Sequence, residues 1–197
     1  MAEVAAGRRV KRLEDPIQMR AIAHPLRLRL LGELRIGGPA TATMLARRFE
    51  IEVSLPSYHL RQLATHGFIE DDEGHEGGRE RWWRAAQDIT SWDTGEFLDT
   101  PERRAAEASL RNEILRLYVH RLEEFIRARD SWSDEWLHAA FSSDMMLRLT
   151  PEQAKTMHEE MWAVIEKWDV AAKDGDAEGT ELVHVIVHGF PTRRPGR

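Results

Sequence analysis

The sequence predicts a mainly α fold with small β elements, on three observations. The stretch SLPSYHLRQL (Ser54 to Leu63), placed on a helix, puts Pro56, Leu60 and Leu63 on one inward stripe. Ser54, Tyr58, Arg61 and Thr65 fall on the opposite side, with Ser57 at its edge. Directly after it come FIEDD, a glycine-rich turn (Gly74, Gly77, Gly78) and RERWWRA, the pattern of a two-stranded hairpin. The third observation is a long helical run of apolar positions from Leu110 to Ile126. A helix that can enter a groove, followed by a hairpin with an arginine-bearing strand, is a winged helix-turn-helix. The expected architecture is that domain, a C-terminal dimerisation helix and a small α/β extension.

In chain order, residues 1–14 read as a flexible basic arm (Arg8, Arg9, Lys11, Arg12). Asp15 is a good N-cap with Pro16 behind it, starting a helix that would bury Ile17, Met19 and Ile22. His24-Pro25 breaks it, because the residue before proline is pushed out of the helical region. The next helix, Pro25 to Ile36, packs Leu26, Leu30, Leu31 and Leu34, and Gly37-Gly38-Pro39 ends it. Thr41 or Thr43 caps a third helix carrying Met44, Leu45, Ala46 and Phe49 inward. The turn after it places Glu50 where a left-handed residue, usually Gly, is needed, at a cost on the order of 1 kcal/mol. The recognition helix then starts between Glu52 and Ser54.

In the wing, alternation puts Arg79, Arg81 and Trp83 on one face and Glu80, Trp82 and Arg84 on the other. The domain is expected over 15–90. Residues 86–100 are an aperiodic connector, and Thr100-Pro101-Glu102 opens the long helix. With 15–24, residues 101–130 form the expected homodimer interface, since their apolar stripe is wider than one small domain needs. The region 91–190 continues with MMLRL (145–149) as a short strand, a helix from the capping box Thr150-Pro151-Glu152-Gln153, and ELVHVIVHGF (181–190) as a β-branched strand. Residues 191–197 are a basic tail.

The net charge of -6 is uneven. Residues 1–90 hold 14 Lys+Arg against 13 Asp+Glu, whereas residues 91–197 hold 14 against 21. DNA affinity needs local positive charge rather than a positive total, so the first half stays a candidate binder. The absence of cysteine excludes disulfides and thiolate metal sites. No apolar run is long enough to span a bilayer and no secretory signal appears, so a cytoplasmic protein is expected.

No phosphate-binding loop, dinucleotide fingerprint, nucleophile elbow, metalloprotease or zinc-finger spacing is present. An enzyme and a cofactor are therefore not expected. The loop Asp174, Asp176, Glu178, Gly179 fails as a calcium site, because Val185 stands where a bidentate Glu is required. His184 and His188 share a strand face but stand roughly 13 Å apart, too far to hold one ion together. His120 with Glu123 or Glu124 has better spacing, though such pairs arise often by chance. No metal site is expected. Trp132, Trp136, Met157, Met161, Trp162, His184, His188 and Phe190 make a candidate pocket for a small apolar effector, or simply a small core.

The segments AIAHPLRLRLLGEL, TATMLARRFEI, SYHLRQLATHGFIE and GRERWWRA resemble the ArsR-like winged helix-turn-helix regulators. The likeness is to a cysteine-free actinobacterial group, and the TPEQ helix and HGFP end resemble its extended members. The resemblance implies a homodimer binding palindromic double-stranded DNA, more often as a repressor. It implies recognition-helix contacts at Ser54, Ser57, Tyr58 and Arg61, with wing contacts at Arg79 and Arg81. Thr65, on the same side of the helix, and Gln62 join the candidate DNA-binding residues. Metal-sensing relatives carry a cysteine cluster or Asp/His pairs that are not found here, so no metal effector carries over. The acidic wing strand and negative second half keep a rival reading open, a winged-helix protein-interaction module.

Overall fold

The computed structural model describes residues 8–74, 80–171 and 179–193. The wing-tip residues Gly77, Gly78 and Arg79, the acidic loop positions Asp174, Asp176 and Glu178, and the outer parts of arm and tail lie outside the described residues. The chain divides into two units, Met1–Ile126 and Arg127–Arg197.

The first unit begins with β1 (Val10–Arg12), α1 (Pro16–Ile22) and α2 (Pro25–Ile36). Asp15 caps α1 by accepting the Ile17 N–H, and His24 caps α2 through Nδ1, which accepts the Leu26 N–H at 3.1 Å. β2 (Ala40–Thr41) leads into α3 (Ala42–Phe49), with Thr41 as its cap. α4 (Ser54–Thr65), β3 (Ile69–Asp71), β4 (Trp82–Ala85) and β5 (Ile89–Ser91) follow, then a short 3-10 turn and α5 (Pro101–Arg127). β4 lies centrally in an antiparallel sheet of order β2-β4-β3. Phe68, Trp83, Phe97 and Leu110 close a core with Leu13, Met19, Leu30, Leu31, Leu45, Leu60 and Leu63.

Two helix ends decide where α4 points. At the end of α3 the N–H of Glu50 reaches Arg47 O and that of Ile51 reaches Ala46 O. At the end of α4 the N–H of Gly67 reaches Ala64 O and that of Phe68 reaches Leu63 O. Both are Schellman closures, which need a left-handed residue at their corner. Gly67 supplies it with φ 68°, and Glu50 supplies it with φ 54° despite its side chain. Phe68 and Leu63 are both fully buried, so the second closure is seated in the core.

Several expectations are corrected. Residues 8–14 are not a free arm: Val10–Arg12 pairs in parallel with Ile89–Ser91, and Leu13 is buried. Arg9 bonds Asp88, Arg12 pairs with Glu96, and Lys11 Nζ lies 5.0 Å over the Phe68 ring, so their charges are used within the fold. Arg35 steadies this edge from α2, donating to Gln87 O at 3.0 Å and Thr90 Oγ1 at 2.7 Å. Its burial lowers its pKa to about 10. Ile17 and Met44, expected inside, are exposed.

In the second unit, α6 (Asp134–Ala139) and α7 (Pro151–Ala171) follow a short 3-10 turn. Thr150 and Gln153 make the expected capping box, each side chain accepting the other's N–H. The stretches 145–149 and 181–190, expected as strands, form none. Their composition suits a sheet, but a strand also requires a hydrogen-bonded neighbour, and no described segment of the chain serves as one.

The strain at Glu50 is measurable. A left-handed non-glycine residue costs about 1–2 kcal/mol, and the extra freedom of unfolded glycine returns about 0.5–1 of that. Glu50→Gly is therefore expected to raise stability by about 0.5–1 kcal/mol in urea titration. No change or a loss would mean that the closure is not formed in solution.

Candidate nucleic-acid interface

The site is built on α4. Its inner stripe, Pro56, His59, Leu60 and Leu63, is buried, which fixes the rotation of the helix about its axis. The opposite side follows from that rotation: Ser54, Tyr58, Arg61 and Thr65 are exposed, and Ser57 and Gln62 flank them half-buried. Six predicted contact residues therefore share one helix, on its outward side.

Their chemistry divides by what each group has left to offer. The Ser57 hydroxyl donates to Val53 O at 2.8 Å and that of Thr65 to Arg61 O at 2.9 Å. With the donor engaged, the oxygen lone pairs remain to accept from base amino groups. Tyr58 is 51% exposed and stands edge-on to the His59 ring at 5.1 Å. Arg61 makes no ion pair among the described residues, so its full charge faces outward.

Periodicity missed two groups at the start of this helix. Val53 and Leu55 are apolar yet 43% and 47% exposed, beside Ser54. Apolar groups at the N-terminal end of a groove-entering helix can meet thymine methyls. Their signal was available, since neither sits on the Pro56, Leu60, Leu63 stripe.

The wing is different. Arg81, expected to face phosphate, pairs with Asp71 and lies 4.0 Å over the Trp83 ring. Asp71 holds its proton less tightly than usual, because the Arg81 guanidinium bonds its carboxylate. Arg84 pairs with Glu70 at 2.9 Å and lies 3.7 Å from Asp72. The acidic first strand thus balances the arginines of the second. Thr43 Oγ1 donates to Glu80 at 2.8 Å, tying the wing to the start of α3. Arg79 lies outside the described residues.

Behind α4, His24 and His59 stack with ring centroids 4.3 Å apart. His24 Nδ1 is occupied by the Leu26 N–H, and His59 Nδ1 is buried with no partner among the described residues. Burial first, then the Arg27 charge, lowers the pKa of His24, with Glu113 opposing. Burial, His24 and Arg27 lower that of His59.

The pocket candidates lie in the second unit, where Trp132, Trp136, Met157 and Trp162 are half-buried. Met161, His184, His188 and Phe190 are exposed, Phe190 at 78%, so these four wall no closed cavity among the described residues. His120 Nε2 stands 3.2 Å from Glu124, the expected one-turn pair. No group of three or more ligating side chains occurs among the described residues. No helix there is long and apolar enough to cross a membrane.

Residues 22–72, about a quarter of the chain, match the family model described as a helix-turn-helix domain. No curated protein matches the chain. Among solved structures, a MarR family regulator from Neisseria meningitidis is similar at 15% identity, with 80% of each chain covered and a TM-score of 0.29. A likeness at that score carries no argument. The family match, together with the mainly helical fold and its small sheets, supports a DNA-binding transcription regulator of helix-turn-helix type.

The stacked histidines set a pH limit. Both bind a proton less readily when folded, whereas an unfolded chain takes up their protons at about pH 6.5. Stability should be complete above about pH 6.5 and fall as pH drops through that value towards the lowered folded pKa values. Thermal midpoints between about pH 5 and 8 should show the fall, and His59→Gln should shrink it. An equal fall in the variant would place its origin elsewhere.

Proposed function

We propose that this chain is a sequence-specific DNA-binding regulator, acting as a homodimeric repressor of the ArsR-like kind. The observation that carries the reading is the outward side of α4, with Ser54, Tyr58, Arg61 and Thr65 exposed while the opposite stripe is locked in the core. In this reading α4 enters the major groove. Arg61 meets phosphate, Ser57, Tyr58 and Gln62 read base edges, and Leu55 offers methyl contacts. The wing approaches adjacent backbone or minor groove with Arg79 and with Arg81, which would share itself between Asp71 and phosphate.

Pairing of two copies is favoured by α5. Leu115, Val119, Leu122 and Ile126 are exposed at alternating spacings of four and three, one continuous helix stripe. Ile17 on α1 is likewise exposed, and Arg20 joins α1 to Glu102 at the start of α5. An apolar stripe of that length in water favours burial against a copy. Residues 15–24 and 101–130 thus form the proposed dimer interface, and the second unit is the proposed place for a small apolar effector. The balanced charge of the wing favours one rival, a winged helix that binds protein instead.

Mobility shift with the DNA upstream of the chain's own coding region separates the two. A retarded complex that resists nonspecific competitor is expected, and its absence across that region would favour the rival. Arg61→Ala should weaken binding to all sequences by about 1–2 kcal/mol and lower the salt slope by about one phosphate. Ser57→Ala and Leu55→Ala should instead alter which bases are preferred. An Arg61→Ala variant with unchanged affinity and salt dependence would remove Arg61 from the interface.

A further inference from the structure

The second unit has no buried interior among its described residues. On α7, Val164 and Trp168 stand one helical turn apart and are both exposed. The two stretches with strand composition, 145–149 and 181–190, form no strand, and Met145, Leu182 and Val183 among them are exposed. Apolar, β-branched segments of this kind are stabilised by a ladder and by cover on one face. Among the described residues of this unit no such ladder is formed.

We propose that a second copy of this chain completes the second unit. The segment 181–190 pairs across a two-fold axis into a shared sheet, and the apolar side of α7 packs against it. The proposal rests on the homodimer reading above. Two features select a copy rather than a different partner. The first is self-complementarity, which an isologous contact demands. Between Leu182 and Gly189 the only titratable residues are His184 and His188. In an antiparallel two-fold pair centred on Val185, they fall opposite Ile186 and Leu182 of the copy, so no like charges meet. The second is tethering. The outward stripe of α5 reaches Ile126, the last residue before this unit, so copies joined there would hold their second units at high effective concentration.

The test is amide hydrogen exchange on the full chain, with light scattering for mass. In the dimer, amides of 182–189 should exchange at least about tenfold more slowly than in an unstructured segment. Dilution to monomer should abolish that protection, and so should Ile186→Pro, which removes a ladder donor. A dimer in which these amides exchange freely, or in which Ile186→Pro leaves their protection unchanged, overturns the shared sheet while the α5 interface stands. Protection in a monomer also overturns it, by placing the cover within one chain. A chain that stays monomeric at all concentrations, with or without DNA, overturns both this proposal and the homodimer.

Discussion

The outward side of α4 exists because its inward side is held. Pro56, His59, Leu60 and Leu63 lock the helix against rotation, and left-handed corners at Glu50 and Gly67 fix its entry and exit. Rotating the helix by one residue would turn it by about 100° and swap stripe for surface. Every group offered outward therefore depends on apolar burial behind it. A helix that enters a duplex groove must hold one orientation, so rigidity here suits the proposed role of α4. The strained corner at Glu50 is tolerated because its hydrogen bonds close the helix that braces α4.

Charge is handled by the same logic of commitment. Many of the arginines in the first unit are already spoken for: Arg9 by Asp88, Arg12 by Glu96, Arg35 by backbone and Thr90, Arg48 by Glu33, Arg81 by Asp71. Arg61 is not, among the described residues. A count of basic residues would have spread the positive field over the whole surface. The pairing leaves Arg61 on α4 among the arginines whose charge faces outward, where a phosphate would compete with water alone. Exposed ion pairs contribute little to stability, so the wing's pairs bear more on where charge is free than on folding.

Local signals in the sequence made the first unit legible, and partners decided the rest. Caps at Asp15 and Thr41, the break at His24-Pro25, the capping box at Thr150 and the stripe through Pro56, Leu60 and Leu63 all act within a few residues, and all are formed. The β1–β5 pair was not legible, because it joins two three-residue segments far apart in the chain through Leu13, Arg9 and Arg35. Strand composition at 181–190 was legible, but whether a ladder forms depends on a distant neighbour, which composition does not specify. The exposure of Leu55 and Val53 follows from the same helix rotation, although their apolar character alone points inward. The pocket residues share a composition, yet exposure separates Met161 and Phe190 from the half-buried tryptophans.

The most direct test asks where a duplex lies relative to α4. The chain has no cysteine, so Thr65→Cys introduces a single attachment point on the exposed side of that helix. An iron chelate tethered there cuts nearby DNA backbone by hydroxyl radicals. With the bound upstream duplex, two symmetric clusters of cuts are expected, about 10–10.5 base pairs apart or a multiple of that. Cleavage no greater than that of untethered reagent, although the complex is bound, would show that DNA lies elsewhere and contradict the account.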